Sequence, residues 1–342
     1  MGDIGSVRKT CLAVATIVLA GSLAGGETLA LDVVKRSSGS GAPTTFGAPW
    51  YVADALGFFE KEGIKFEEVQ VKGDANSMRA LIAKEVLIGG VGPTTMFSAL
   101  AEGAKVKVVV SSQPVVDYNI VAKKGIAKSL ADIKTASFAS AGPKDITTEI
   151  PKMVFKKHNV DPAGLNFIQV GSHAARLQSV IAGRVQATMV NTLTATQGKL
   201  AGEVDILATV AKDFPGLGYT YLAVREEDLT DAKTRKMIRG FVKGTILGAR
   251  FVQENPDKAA EIMAKLLKDV DVKLIAAVFR QLNEDGVWGV DGGVEPHITD
   301  FTVKVQMEMG DLKQPLTVPQ VLDRSVVEDV LKEIGPYKKK SS

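Results

Sequence analysis

Short runs of β-branched and aliphatic residues alternate along the chain with stretches whose apolar positions recur at helical spacing, the pattern of a layered α/β fold. Val33-Val34 opens a first strand, and strand-like runs follow at Phe66–Val71, Val86–Val91 and Val106–Val110. Between the first two, Val52, Leu56 and Phe59 predict one helix over Pro49–Lys61, ended by Gly63 in a C-terminal cap. Successive strand–helix–strand units predict mainly parallel pairing. Amphipathic helices are expected at about Asp231–Glu254, Pro256–Lys268 and Val272–Glu284, packing back onto the first part of the chain.

The chain also repeats itself. Leu81–Thr95 matches Val180–Thr194 at a constant offset of 99, with Ala83 on Ala182, Val86 on Val185, Val91 on Val190 and Thr95 on Thr194. The register persists to Gly103 on Gly202, each closing a helix, and upstream Phe66 answers Phe167 at an offset of 101. Several elements in register argue for two similar lobes rather than one long sheet. The expected division is a signal peptide over 1–30, lobe one over 31–115, lobe two over 116–220, and a return to lobe one with C-terminal helices over 221–342. The extended segments Ser111–Val121 and Leu217–Val224 carry the chain between lobes as hinge strands.

Charge and composition narrow the function classes. A net charge of +3 arises from 42 basic and 39 acidic residues spread along the 342-residue chain, so no concentrated positive face points to nucleic acid. Arg8 and Lys9 precede an apolar stretch from about Cys11 to Leu23 and then small residues, the layout of a secretory signal cleaved after Ala24 or Ala30. That places the mature protein in the periplasm, soluble and without a cysteine, so thiol catalysis and zinc–thiolate sites are not expected. His158, His173 and His297 are dispersed and form no metal motif, and no Gly-x-Ser-x-Gly elbow is present. The stretch SSGSGAPTTFGAPWY, Ser37–Tyr51, follows the first strand as a phosphate loop would, yet lacks the Gly-Lys-Ser/Thr ending.

With these features in view, the segments GAPWYVADALGFFEKEGIKFEEV, VGPTTMFSALAEGAKVKVV, IVAKKGIAKSLADIK and AGRVQATMVN resemble periplasmic solute-binding proteins of the nitrate/sulfonate/taurine group, which includes thiamine-precursor-like binders. The resemblance runs from about Val33 to Gly335. It implies a two-lobed type II clamshell, each lobe a mainly parallel sheet flanked by helices. It further implies a monomer without cofactor or catalytic activity that delivers a small molecule to an ABC permease and its ATPase, touching the membrane only through that complex. Lys84–Leu87 departs from the group's usual Gly-x-x-Asp, as does Gln186 in the second lobe, and the first-strand loop is longer and richer in Ser and Gly.

In open α/β sheets, ligands lie beyond the carboxyl ends of the strands, where helix N-termini present unpaired N–H groups. Candidate contacts there are Ser37 and Ser38 in the first loop, Trp50 and Tyr51 at the start of the first helix, and Thr94 and Thr95 after Gly92-Pro93. In lobe two they are Ser140 and Lys144 in the equivalent loop, Asn191 and Thr192 at the matching strand exit, and Tyr118 on the crossing segment. Capping is the alternative role for the hydroxyls and the amide, core packing for the aromatics, and surface exposure for Lys144 and His173. The expected ligand is a small organic anion, a sulfonate or carboxylate. The alternatives are a flat heteroaromatic such as a thiamine pyrimidine precursor, stacked by Trp50 or Tyr51, or a secreted precursor-biosynthesis enzyme on the same fold.

Overall fold

The computed structural model describes residues 31–40, 43–142, 146–268 and 270–339. The predicted signal peptide and Lys144 lie outside them. In chain order the first lobe is built from β1 (Asp32–Ser38), α1 (Ala48–Ala55), α2 (Phe58–Lys61), β2 (Ile64–Gln70), α3 (Asp74–Ile82), β3 (Ile88–Val91), α4 (Pro93–Ala101) and β4 (Val106–Val110). The second is built from β5 (Tyr118–Lys123), β6 (Ser137–Ser140), α5 (Ile146–Lys157), β7 (Asn166–Gln169), α6 (His173–Ile181), β8 (Ala187–Asn191), α7 (Thr192–Leu200), β9 (Val204–Thr209) and α8 (Val210–Asp213). The chain then continues through β10 (Tyr221–Arg225), α9 (Ala232–Glu254), α10 (Pro256–Ala264), α11 (Val272–Glu284), α12 (Pro296–Met309), α13 (Val318–Val321) and α14 (Ser325–Ile334).

The internal repeat is a structural one. Starting residues of α3 and α6, and of β3 and β8, and of α4 and α7, all differ by 99. Even the turn before β3 is matched: Lys84 adopts a left-handed φ of 63° where Gly183 has 69°. Glycine suits this turn better than lysine does, since a left-handed backbone strains any residue with a Cβ. The sheets are ordered β2-β1-β3-β10-β4 and β7-β6-β8-β5-β9.

Four strands of each sheet run in one direction, as the strand–helix alternation predicts, but the fifth opposes them. β10 is antiparallel to β3 and β4, and β5 is antiparallel to β8 and β9. Each of these strands enters its sheet directly from the hinge. The hinge lies at the carboxyl ends of the parallel strands, so an entering strand must run the other way. The two crossings pair with each other. Val116 N–H donates to Leu217 C=O at 3.1 Å, Tyr219 N–H to Pro114 C=O at 3.1 Å, and Thr220 N–H to Gln113 C=O at 3.2 Å. Helix α12 lies across both lobes, with Ile298 and Val303 in the first core and Val305 in the second.

The predicted helix over Pro49–Lys61 is two helices. Gly57, at a φ of 68°, breaks the run between α1 and α2, which lets Phe59 stack on Phe241 of α9 with centroids 5.4 Å apart. Helices α1 and α9 approach so closely that a Cβ on Gly248 would lie 1.9 Å from the Pro49 carbonyl oxygen. Gly248→Ala is therefore expected to lose about 2 kcal/mol despite alanine's better helix propensity, because the helices must separate. A lowered urea midpoint at unchanged slope is the measurement; an unchanged or raised midpoint contradicts the close approach.

Candidate functional site

The cleft between the sheets holds three adjoining cavities of about 860, 190 and 270 Å3. Tyr219, from the second crossing segment, lines all three. Its ring meets Phe46 edge-on at 5.9 Å and Tyr118 at 5.9 Å, and Tyr118 meets His173 at 5.5 Å. A row of aromatic rings thus runs from the first-strand loop of one lobe, over the hinge, to the α6 N-terminus of the other. Burial holds the Tyr219 phenol well above its ordinary pKa, with Tyr118 and Asp117 adding to the effect, so it remains a neutral hydroxyl.

Asp117 lies on the other crossing segment and lines the largest cavity. It is 5% exposed. Its Oδ2 accepts the Thr192 N–H at 3.3 Å, and its main-chain carbonyl accepts the Thr192 hydroxyl at 2.7 Å. Its Oδ1 is buried with no hydrogen-bond partner among the described residues. Burial raises this carboxyl from 3.8 to about 6, against the pull of the Thr192 N–H and of the nearby Gln113 side chain. A buried acceptor without a donor is costly to the free protein.

The two lobes treat their α3 and α6 N-termini alike. Asp74 Oδ2 accepts the Gly92 N–H at 2.7 Å, and His173 Nδ1 accepts the Asn191 N–H at 3.2 Å. Each bond ties the first residue of one helix to the strand exit before the next. Arg36, 1% exposed, borders the smallest cavity, but its guanidinium pairs with Glu68 and lies 3.8 Å from the centre of the Trp50 ring. Its charge belongs to a structural cluster. Among the described residues, the lysines of the lining are Lys265 and Lys268, which follow α10 beside the largest cavity.

Of the residues singled out from sequence, Ser38, Thr94, Thr95, Tyr118 and Asn191 border the cavities. Thr94 also donates to Gln306 Oε1 at 2.9 Å, and Asn191 caps α7 by accepting the Thr194 N–H at 3.0 Å. The other described ones are placed elsewhere. Ser37 is fully buried against Ser77, with hydroxyls 2.7 Å apart. Trp50, 1% exposed, is core under Arg36, and the Tyr51 hydroxyl donates to Glu68, so neither floors the cleft. Thr192 is locked to Asp117 and Asn119, and Ser140 is buried at the end of β6. A 3-10 turn over Thr45–Gly47 is the reason for the exchange: it turns Phe46 to the cleft and Trp50 inward. Sequence reasoning missed Asp117, Tyr219, Phe46 and Asp74. A lone acid inside the apolar run Val115-Val116-Asp117-Tyr118 was the available signal.

Among the described residues no group of three or more His, Cys, Asp or Glu side chains is placed to hold a metal ion. No described helix is long and apolar enough to cross a membrane. In sequence the chain is 20% identical over 293 residues to the protein YtlA of Bacillus subtilis (strain 168), covering 84% of this chain and 87% of that one. Its fold is similar to the periplasmic aliphatic sulphonate binding protein SsuA from Escherichia coli, at 14% identity and a TM-score of 0.66, covering 87% of this chain and 99% of the other. It is also similar to the periplasmic nitrate-binding protein NrtA from Synechocystis PCC 6803, at 12% identity and a TM-score of 0.64, covering 90% of each. With the NMT1/THI5-like family model matching residues 45–259, and the hinge, paired sheets and interlobe cleft in place, the chain belongs to the NMT1/THI5-like family and has the fold of two-lobed solute-binding proteins.

Proposed function

We propose that this protein is the periplasmic solute-binding component of an ABC importer and that its cargo is a flat nitrogen heteroaromatic carrying N–H donors, such as an aminopyrimidine. The observation that carries the ligand class is the buried, unpartnered Oδ1 of Asp117 on the wall of an aromatic-lined cleft. A ring amine is the kind of donor that carboxylate lacks, and the faces and edges of Phe46 and Tyr219 suit a planar ring. Closure about the paired crossing segments brings donors and walls from both lobes onto one solute, and the closed form is what a permease recognises.

A small organic anion is the second reading, favoured by the α4 N-terminus, which no side chain caps, beside Thr94 and Thr95. Against it stand the carboxylates of Asp74 and Asp117 in the same lining and the pairing of Arg36 with Glu68. A thermal-shift screen of the purified protein separates the two. Aminopyrimidines are expected to raise the melting temperature, by an amount equivalent to about 2.7 kcal/mol at a hundredfold excess over Kd. A rise with sulfonates, carboxylates or nitrate and none with ring amines overturns the heteroaromatic reading.

A further inference from the structure

The smallest of the three cavities, about 190 Å3, has room for one small planar group, since a water molecule fills only about 30 Å3 in the liquid. Arg36 and Asp74 both line it. The Arg36 side chain is 1% exposed, and its nitrogens have three different fates. Nη1 donates to Glu68, and Nε is sealed in protein without a partner. Nη2 has no hydrogen-bond partner among the described residues. It lies 2.5 Å from where a Cβ on Gly90 would stand, and Gly90 is itself part of the lining, so this nitrogen sits at the cavity wall.

Asp74 supplies the opposite chemistry. Its Oδ2 accepts the Gly92 N–H at 2.7 Å, and its Oδ1 has no partner among the described residues. Oδ1 lies 2.5 Å from the place of a Cβ on Gly39, and Oδ2 lies 3.2 Å from that of one on Gly92. Both glycines line the cavity. One cavity thus holds the N–H groups of a guanidinium and the oxygen of a carboxylate, walled by three residues without side chains.

Charge decides what fits there. An anionic oxygen meets an arginine whose charge Glu68 already balances, and faces the Asp74 carboxylate as well. An ammonium satisfies Asp74 and opposes Arg36. A neutral group with a carbonyl oxygen beside an N–H meets both needs without opposing either charge. A primary amide has a separate atom for each task, whereas a hydroxyl must reach both partners through one oxygen.

We infer that this cavity is a subsite for a neutral primary amide, whose carbonyl oxygen accepts from Arg36 Nη2 and whose NH2 donates to Asp74 Oδ1. The subsite stands on its own lining. That the amide is carried on a ring rests on the heteroaromatic reading above, because Phe46 and Tyr219 line both this cavity and the largest one.

The first test uses acetamide alone. In 15N-labelled protein, acetamide is expected to shift the backbone amide resonances of Gly39, Gly90 and Gly92 saturably, and acetate or methylammonium to shift them less. In Asp74→Asn the new amide oxygen keeps the Gly92 N–H and its NH2 replaces Oδ1, a donor facing a donor, so acetamide is expected to bind at least about tenfold more weakly. An absent acetamide response, a stronger response to either ion, or an unchanged response in Asp74→Asn overturns the inference. The second test is calorimetric titration with 4-aminopyrimidine-5-carboxamide and 4-amino-5-methylpyrimidine. The carboxamide is expected to bind about tenfold or more tightly than the methyl compound. That ratio is expected to fall towards one in Asp74→Asn and in Arg36→Lys, which keeps a charge for Glu68 but withdraws Nη2. Should Arg36→Lys fail to fold, Asp74→Asn decides. Equal affinities in wild type, or a ratio that survives Asp74→Asn, overturn the subsite. If neither pyrimidine binds while acetamide binds wild type and not Asp74→Asn, the heteroaromatic reading falls and the amide subsite is upheld for another solute.

Discussion

Asp117→Asn is expected to weaken binding of an aminopyrimidine by about 100-fold or more while making the ligand-free protein more stable at neutral pH. The two effects have one cause. The Thr192 N–H must still be accepted, so the amide oxygen of the new side chain takes the place of Oδ2 and its NH2 takes the place of Oδ1. An acceptor for the ligand becomes a donor facing a donor. Isothermal titration and a denaturant melt of the same preparation measure both effects. Retained affinity would show that the ligand does not use Asp117.

The stability gain has a definite pH signature. The Asp117 pKa is raised on folding from 3.8 to about 6. The folded state therefore binds this proton more tightly than the unfolded state does. The associated stability is present below the ordinary aspartate range and is lost as pH climbs through the interval up to about 6. A rise of that size corresponds to a cost of about 3 kcal/mol at neutral pH. The stability of Asp117→Asn relative to wild type should accordingly rise between pH 4 and pH 7, by on the order of that amount. Asp54, Asp285, Glu295 and Asp311, also raised by burial, act in the same direction, and lowered carboxylates such as Asp132 and Glu333 oppose them, but both sets are common to the two proteins and cancel in the comparison.

Much of this architecture can be read from the sequence because repeated units carry local signals. Helical spacing, glycines such as Gly103 and Gly202 with positive φ, and an offset of 99 all recur between the lobes, and each is a property of neighbouring residues. The antiparallel fifth strands were not legible in this way. Their direction is imposed by where the hinge meets each sheet, which is a global property of the path. The cleft followed the same division. Strand exits and helix starts located Ser38, Thr94, Thr95 and Asn191, whereas which aromatic faces the solute depended on one 3-10 turn. Phe46, only four residues before Trp50, lies on the cleft side of that turn. Asp117 is marked in the sequence only as a lone acid in an apolar run, and its burial is a property of the folded hinge.

Trp50→Ala is expected to destabilise the protein by about 4 kcal/mol, within the usual range for emptying a buried tryptophan site. The indole is 1% exposed, meets Phe46 at 5.9 Å and Tyr51 at 5.7 Å, and supports the Arg36 guanidinium 3.8 Å from its centre. Removing it deletes apolar burial and the cation–π contact together, and leaves the Arg36–Glu68 pair beside a void. Trp288 sits elsewhere in the first-lobe core, with its indole N–H donating to Asn283 at 2.7 Å, so it still reports unfolding in the variant. A urea melt followed by its fluorescence gives the stability. Titration below the transition gives the affinity, which should change little because Trp50 lines none of the three cavities. A large loss of affinity in a variant that melts like wild type would move Trp50 from the core to the cleft. Trp50→Phe, which refills most of the void under Arg36, is expected to recover part of the lost stability and to leave binding unaltered.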